Sequence, residues 1–152
     1  MNTRPWVLII GSALLLSCVG CNRTTPEPAS ADIPSARLRL TIVRMATDAF
    51  LQRFNLTMNI RGTEGCSSST ELFPDTGYAG RRNVYQAAKG MVYVVGQFDA
   101  RVIDSQTCRT RLSEFRHLDR DVVFLGSFDQ DEEKRWRYFS SAQRPELPFA
   151  KR

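Results

Sequence analysis

The sequence predicts an all-β protein: a small antiparallel β-sandwich or barrel-like domain of about seven strands, following a signal peptide and a proline-rich tether. Three observations carry that prediction. Apolar residues recur at a spacing of two along several short segments, glycine- and proline-containing joins separate those segments, and no strand–helix–strand alternation is present. The 152 residues allow one domain, and 42% hydrophobic with 24% charged residues is the composition of a chain that buries a core.

The elements are taken in chain order. Residues 1–5 carry one basic side chain, Arg4, and residues 6–16 (WVLIIGSALLL) form an apolar run of eleven residues without a charge. A membrane-spanning helix needs roughly twenty such residues and the core of an export signal about 7–15, so the length selects a signal peptide. Ser17-Cys18-Val19-Gly20-Cys21 comes next, and here the chain resembles the lipobox of bacterial lipoproteins. The resemblance covers only the first 21 residues. It implies a diacylglyceryl group, with palmitate-type chains, on a cysteine that becomes the first residue after cleavage. Two registers compete, with Leu15-Leu16-Ser17 before Cys18 and Cys18-Val19-Gly20 before Cys21. Parity selects Cys21. Lipidating it and discarding Cys18 leaves Cys66 and Cys108 as an even pair for a disulfide bond in an oxidising compartment, whereas lipidating Cys18 strands Cys21 as a third thiol. In that family an aspartate after the lipidated cysteine favours retention in the inner membrane. Asn22 stands there, so the expected location is the bacterial cell envelope, at the outer membrane and facing the periplasm.

Residues 22–35 contain Pro26, Pro28 and Pro34 and almost no large apolar side chain, so residues 21–35 read as a lipidated flexible tether. Fourteen residues reach at most about 46 Å. The β domain is expected over residues 36–142. Leu38, Leu40 and Ile42 alternate with Arg37, Arg39 and Thr41, and Phe54, Leu56, Met58 and Ile60 alternate with Asn55, Thr57 and Asn59; both are half-buried strands. Between them, residues 47–54 form either one helical turn capped by Thr47 or Asp48, or a loop. Residues 61–82 are rich in glycine, serine and threonine and read as a long connection with tight turns. Residues 84–88, 91–103 (bent at Gly96) and 107–112 follow as strands, then one helical turn over 113–118. Residues 122–128 and 135–140 form a hairpin around an acidic tip, with Trp136 and Tyr138 on one face. Residues 143–152 are expected as a flexible tail.

The side chains do not predict an enzyme. His117 is the lone histidine, no Gly-x-Ser-x-Gly is present, and a nucleophile needs a base and a group to orient it. No metal or cofactor is expected: Asp129, Asp131 and Glu133 have the spacing that opens a calcium loop, but Lys134 and Ser140 stand where glycine and glutamate are required. A pI near 9.3 raises nucleic acid as a partner, yet the arginines are scattered from Arg4 to Arg152 and an exported chain does not meet it. Arg109 and Arg111, two apart on one side of an expected strand, are the candidate contact for an anionic glycan, a lipid headgroup or an acidic envelope protein. Phe73 and Tyr78 put two aromatics on one connection and are the second candidate. The sequence thus reads as a membrane-anchored envelope lipoprotein working as a non-enzymatic binding or structural module. An inhibitor of a lysozyme-like enzyme, inserting the Phe73–Tyr78 segment into a cleft, is the alternative.

Overall fold

The structure, a computed structural model, describes residues 25–48, 50–77, 80–113 and 121–149. It is an antiparallel β-sandwich of ten strands. Strands β1 (Glu27–Ile33), β2 (Leu38–Ala46), β3 (Phe54–Gly62) and β4 (Ser67–Asp75) form one sheet in that order. Strands β5 (Arg82–Gln86), β6 (Met91–Val95), β7 (Ala100–Asp104), β8 (Thr110–Leu112), β9 (Val123–Gln130) and β10 (Trp136–Ser140) form the second, in the order β10-β9-β5-β6-β7-β8. The alternation in β2 and β3 turns Leu38, Leu40, Ile42, Leu56, Met58 and Ile60 inward. They meet Val84, Val92, Val94, Ile103, Phe128 and Trp136 from the facing sheet. Trp136 and Tyr138 share the inner face, as their spacing requires, and the Trp136 indole N–H donates to the Ile42 carbonyl at 3.0 Å, joining the two sheets.

The strand count exceeds the expected seven because two polar segments pair. Residues 27–33, expected within the tether, are β1, in register with β2 from Glu27↔Arg44 to Ile33↔Leu38. Their inward positions are Ala29, Ala31 and Ile33, so the strand buries small side chains and carries little hydropathic signal. Pro28 is tolerated because β1 is an edge strand. Residues 67–75, expected as connection, are β4, the opposite edge of the same sheet. Its pairing is backbone pairing through serine and threonine, and Pro74 falls where the register with β3 shifts between Phe54 and Leu56.

Other boundaries move too. The expected bent strand 91–103 is the hairpin β6–β7, closed by the Gly96 N–H donating to the Asp99 carbonyl at 2.8 Å. The expected strand 107–112 shortens to β8, because Cys108 has a φ of 55° and the Asp104 N–H folds back onto the Arg109 carbonyl at 3.0 Å. Residues 47, 48 and 50–53 carry no helix, as the loop alternative requires, and the expected turn at 113–118 lies largely outside the described residues. The expected flexible tail is docked as far as Phe149. Arg81 donates to the carbonyls of Leu147 (3.0 Å) and Pro148 (2.7 Å) and lies over the Phe149 ring, and the Tyr85 hydroxyl donates to Glu146 at 2.7 Å. The reason is a second apolar layer on the outer face of the six-stranded sheet. Tyr85, Tyr93, Val95, Ala100 and Val102 are buried there, with Phe124 and Phe149 packed against them.

Cys66 and Cys108 form a disulfide, with Cα atoms 5.8 Å apart and a sequence separation of 42. It joins the β3–β4 turn to the β7–β8 turn, and so one sheet to the other. Gly62 is held to glycine there: a Cβ would lie 2.5 Å from the Cys66 sulfur.

Candidate functional site

The sandwich has two distinct ends. At the disulfide end Arg109 and Arg111, both exposed, rim one shallow cleft of about 280 Å³ with Asp104, Thr110, Met91 and Val102. They do not share a strand face as expected, since Arg109 lies in the turn before β8 while Arg111 sits on β8 opposite Val102. The cleft still brings them together. Asp104 is held below the usual carboxylate range, first by the Gln106 N–H and in smaller part by Thr107 and Arg109. On the outer face of the four-stranded sheet, Asp32, Arg39, Arg61 and Ser67 are paired in one row across the strands. Ser30, Thr41, Asn59 and Ser69 form the next row, and the Ser30 and Thr41 hydroxyls are 2.8 Å apart. Arg39 and Arg61 stand directly opposite each other, an arrangement that costs stability unless an anion lies nearby. Asp32 approaches Arg39 only to 3.7 Å, with both side chains mostly exposed. In the sequence Arg39 was visible only as the polar side of a half-buried strand, and Arg61, expected to open the 61–82 connection, lies instead within β3.

The opposite end, where β1 begins at Glu27, holds the buried charges. Arg82 is 1% exposed. Its guanidinium donates to the carbonyls of Gly80 (3.1 Å), Arg81 (3.0 Å) and Phe73, and its Nε is 3.7 Å from Asp99. Burial pulls its pKa down, opposed by the charges of Asp99 and Asp75. The Phe73 N–H donates to Asp99 at 2.9 Å and the Phe73 ring lies 4.9 Å from that of Phe98. Phe73 is therefore fixed near the end of β4 and not carried on a free loop; Tyr78 lies outside the described residues. Arg44, also buried, donates to Glu27 at 2.7 Å and to the Lys134 carbonyl at 3.0 Å, with its guanidinium over the Phe54 ring. Arg82 and Arg44 gave no sequence signal, because each is one arginine among eighteen.

A cleft of about 380 Å³ opens at this end, lined by Gln52, Phe54, Asp75, Arg81, Gln97 and Asp129 among others. Its charged groups are engaged: Asp129 pairs with Arg144 at 2.8 Å, Asp75 accepts the Gly77 N–H at 2.9 Å, and Arg81 holds the tail. Among the described residues no serine, threonine, cysteine or histidine lines it. Asp131 accepts the N–H groups of Glu133 and Arg135 and pairs with Arg135 and Arg137, which uses it for the hairpin turn. Among the described residues no group of three or more histidine, cysteine, aspartate or glutamate side chains is placed to hold a metal, and no helix is long and apolar enough to cross a membrane. His117, Arg116, Arg120, Cys18 and Cys21 lie outside the described residues.

The fold and these surfaces define a disulfide-stapled antiparallel β-sandwich with an arginine-bearing end. No family model, curated protein or solved structure matches the chain.

Proposed function

We propose that the chain is an envelope lipoprotein, anchored through a lipid on Cys21, that acts as a non-enzymatic binding module. The observation that carries this is the eleven-residue apolar run followed by Ser17-Cys18-Val19-Gly20-Cys21. Two features support it. A disulfide between Cys66 and Cys108 suits an oxidising compartment, and it uses both cysteines downstream of Cys21. The tether is short, since β1 begins at Glu27 and residues 22–26 are all that separate it from Cys21. Held that closely, the module meets a partner on the same surface at high effective concentration, so a weak contact stays occupied. The partner is an anionic envelope component, a glycan or an acidic protein. Arg39, Arg61, Arg109 and Arg111 supply the cations, and the hydroxyl and amide row beside Arg39 and Arg61 supplies hydrogen bonds. Nucleic acid is not proposed. The lysozyme-inhibitor reading needs an inserting loop; Phe73 is packed on Phe98 at the end of β4, and Tyr78 lies outside the described residues, so the contact surface proposed here is the arginine one.

Cys21→Ser should accumulate as a longer precursor; normal processing of that variant contradicts the anchor. Arg109→Gln with Arg111→Gln should weaken retention on an immobilised anionic polysaccharide, and added salt should weaken the wild type likewise, since exposed charges are screened within about 8 Å at physiological ionic strength. Equal retention of both forms at low salt contradicts the role of that pair.

A further inference from the structure

We propose that the loop between β2 and β3 is a second membrane contact, in which Phe50 and Leu51 enter the lipid surface that carries the Cys21 anchor; this rests on the lipoprotein reading. Phe50 is 95% exposed, Leu51 50% and neighbouring Met45 40%, an apolar group at the tip of a hairpin. The loop is built to hold it outward. Asp48 accepts the N–H groups of Phe50 (2.7 Å) and Leu51 (3.0 Å), the Thr47 N–H donates to the Arg53 carbonyl at 2.9 Å, and the Arg53 N–H donates to the Leu51 carbonyl at 2.7 Å. In water these amides would be satisfied anyway. In a lipid interface they must be satisfied from within, and here they are.

The placement of the loop names its occupant. Glu27, where β1 begins, is in register with Arg44 on β2, and the loop starts at residue 47, at the same end of the sandwich. Six residue steps from Cys21 to Glu27 span at most about 20 Å, so the anchored surface lies within that distance of the end that carries Phe50 and Leu51. The contact is apolar in character, because Arg53, Lys134 and Arg135 at this end are matched by Asp48 in the loop and by Glu132 and Glu133 at the β9–β10 tip. Salt should therefore leave it intact, unlike the arginine contact at the far end.

The full-length chain carrying Phe50→Trp and Trp6→Phe, reconstituted in phosphatidylethanolamine–phosphatidylglycerol vesicles with acyl-brominated phosphatidylcholine, tests this. Trp136 is 5% exposed and bonded to Ile42, so it gives a constant background. The expected result is blue-shifted emission from residue 50, quenched by the brominated chains and unchanged by salt. Water-like, unquenched emission in a chain whose N-terminal peptide carries the lipid overturns the loop contact and leaves the anchor standing. Quenched emission in a chain without lipid on Cys21 supports the loop contact and removes the anchor. Blue-shifted but unquenched emission, as in a contact between copies of the chain, overturns the proposal.

Discussion

Arg82 sets how one end of the sandwich closes. Its cation ties β4, β5 and the β6–β7 turn together through the Phe73, Gly80 and Arg81 carbonyls and through Asp99. Replacing it with methionine would leave Asp75 buried without the Arg82 charge and Asp99 with Arg101 alone, 3.9 Å away and only partly buried. The expected loss is about 3–5 kcal/mol, read from urea unfolding. A loss below about 1 kcal/mol, within the range of an exposed pair, would contradict this role. No sequence rule could pick Arg82 out, since its inward position on β5 depends on the strand beginning two residues before the first valine. The Cys66–Cys108 pair, by contrast, was legible by counting alone, because parity does not depend on strand boundaries.

Strands were legible where leucine, isoleucine and valine mark the inner face, as in β2, β3 and β6. They were hidden in β1 and β4, where alanine, serine and threonine take most of the inner positions, with a single large apolar residue each in Ile33 and Leu72, and backbone pairing at a sheet edge does the rest. Both hidden strands flank elements whose stability is measurable. The disulfide closes a loop of 43 residues, which chain entropy values at roughly 4 kcal/mol. Reductant should lower the melting temperature, and Cys66→Ser should match Cys108→Ser without adding to it. Two free thiols in unfolded, unreduced protein would contradict the bridge. Gly62→Ala should destabilise by about 1–3 kcal/mol through its clash with the Cys66 sulfur, and by less once the bridge is reduced. The docked tail has its own signature in pH. Burial, and then the bond to Glu146, raise the Tyr85 pKa from 10.0 to about 12. Its neutral form is favoured when folded, so the stability it contributes is present below pH 10 and is lost as pH rises from 10 through 12. Tyrosinate absorbance should lose its highest-titrating tyrosine in Tyr85→Phe, while Tyr138, also raised by burial, still titrates above the ordinary value in both forms. Titration of all tyrosines together near pH 10 would remove the docked tail from the account.

The sandwich as a body is polar from end to end. Buried ion pairs and the apolar Phe50–Leu51 tip lie where β1 begins, and Arg39, Arg61 and Arg109 lie toward the disulfide. Nine residues of β2 separate the ends by about 30 Å, several screening lengths. A lipid contact at one end and an anionic partner at the other would then share no charged groups, so salt would loosen the second without loosening the first. Neither surface could be oriented from sequence, because residues 27–35 read as leash, and in the proposed lipoprotein it is the shortened tether that would bring one end to the membrane. All of this depends on which residue carries the lipid, and the mass of the N-terminal peptide from protein extracted out of bacterial membranes measures that directly. The account requires a diacylglyceryl cysteine at Cys21 followed by Asn22 and Arg23; a lipidated peptide beginning at Cys18-Val19-Gly20, or a mature chain with no lipid, would contradict it.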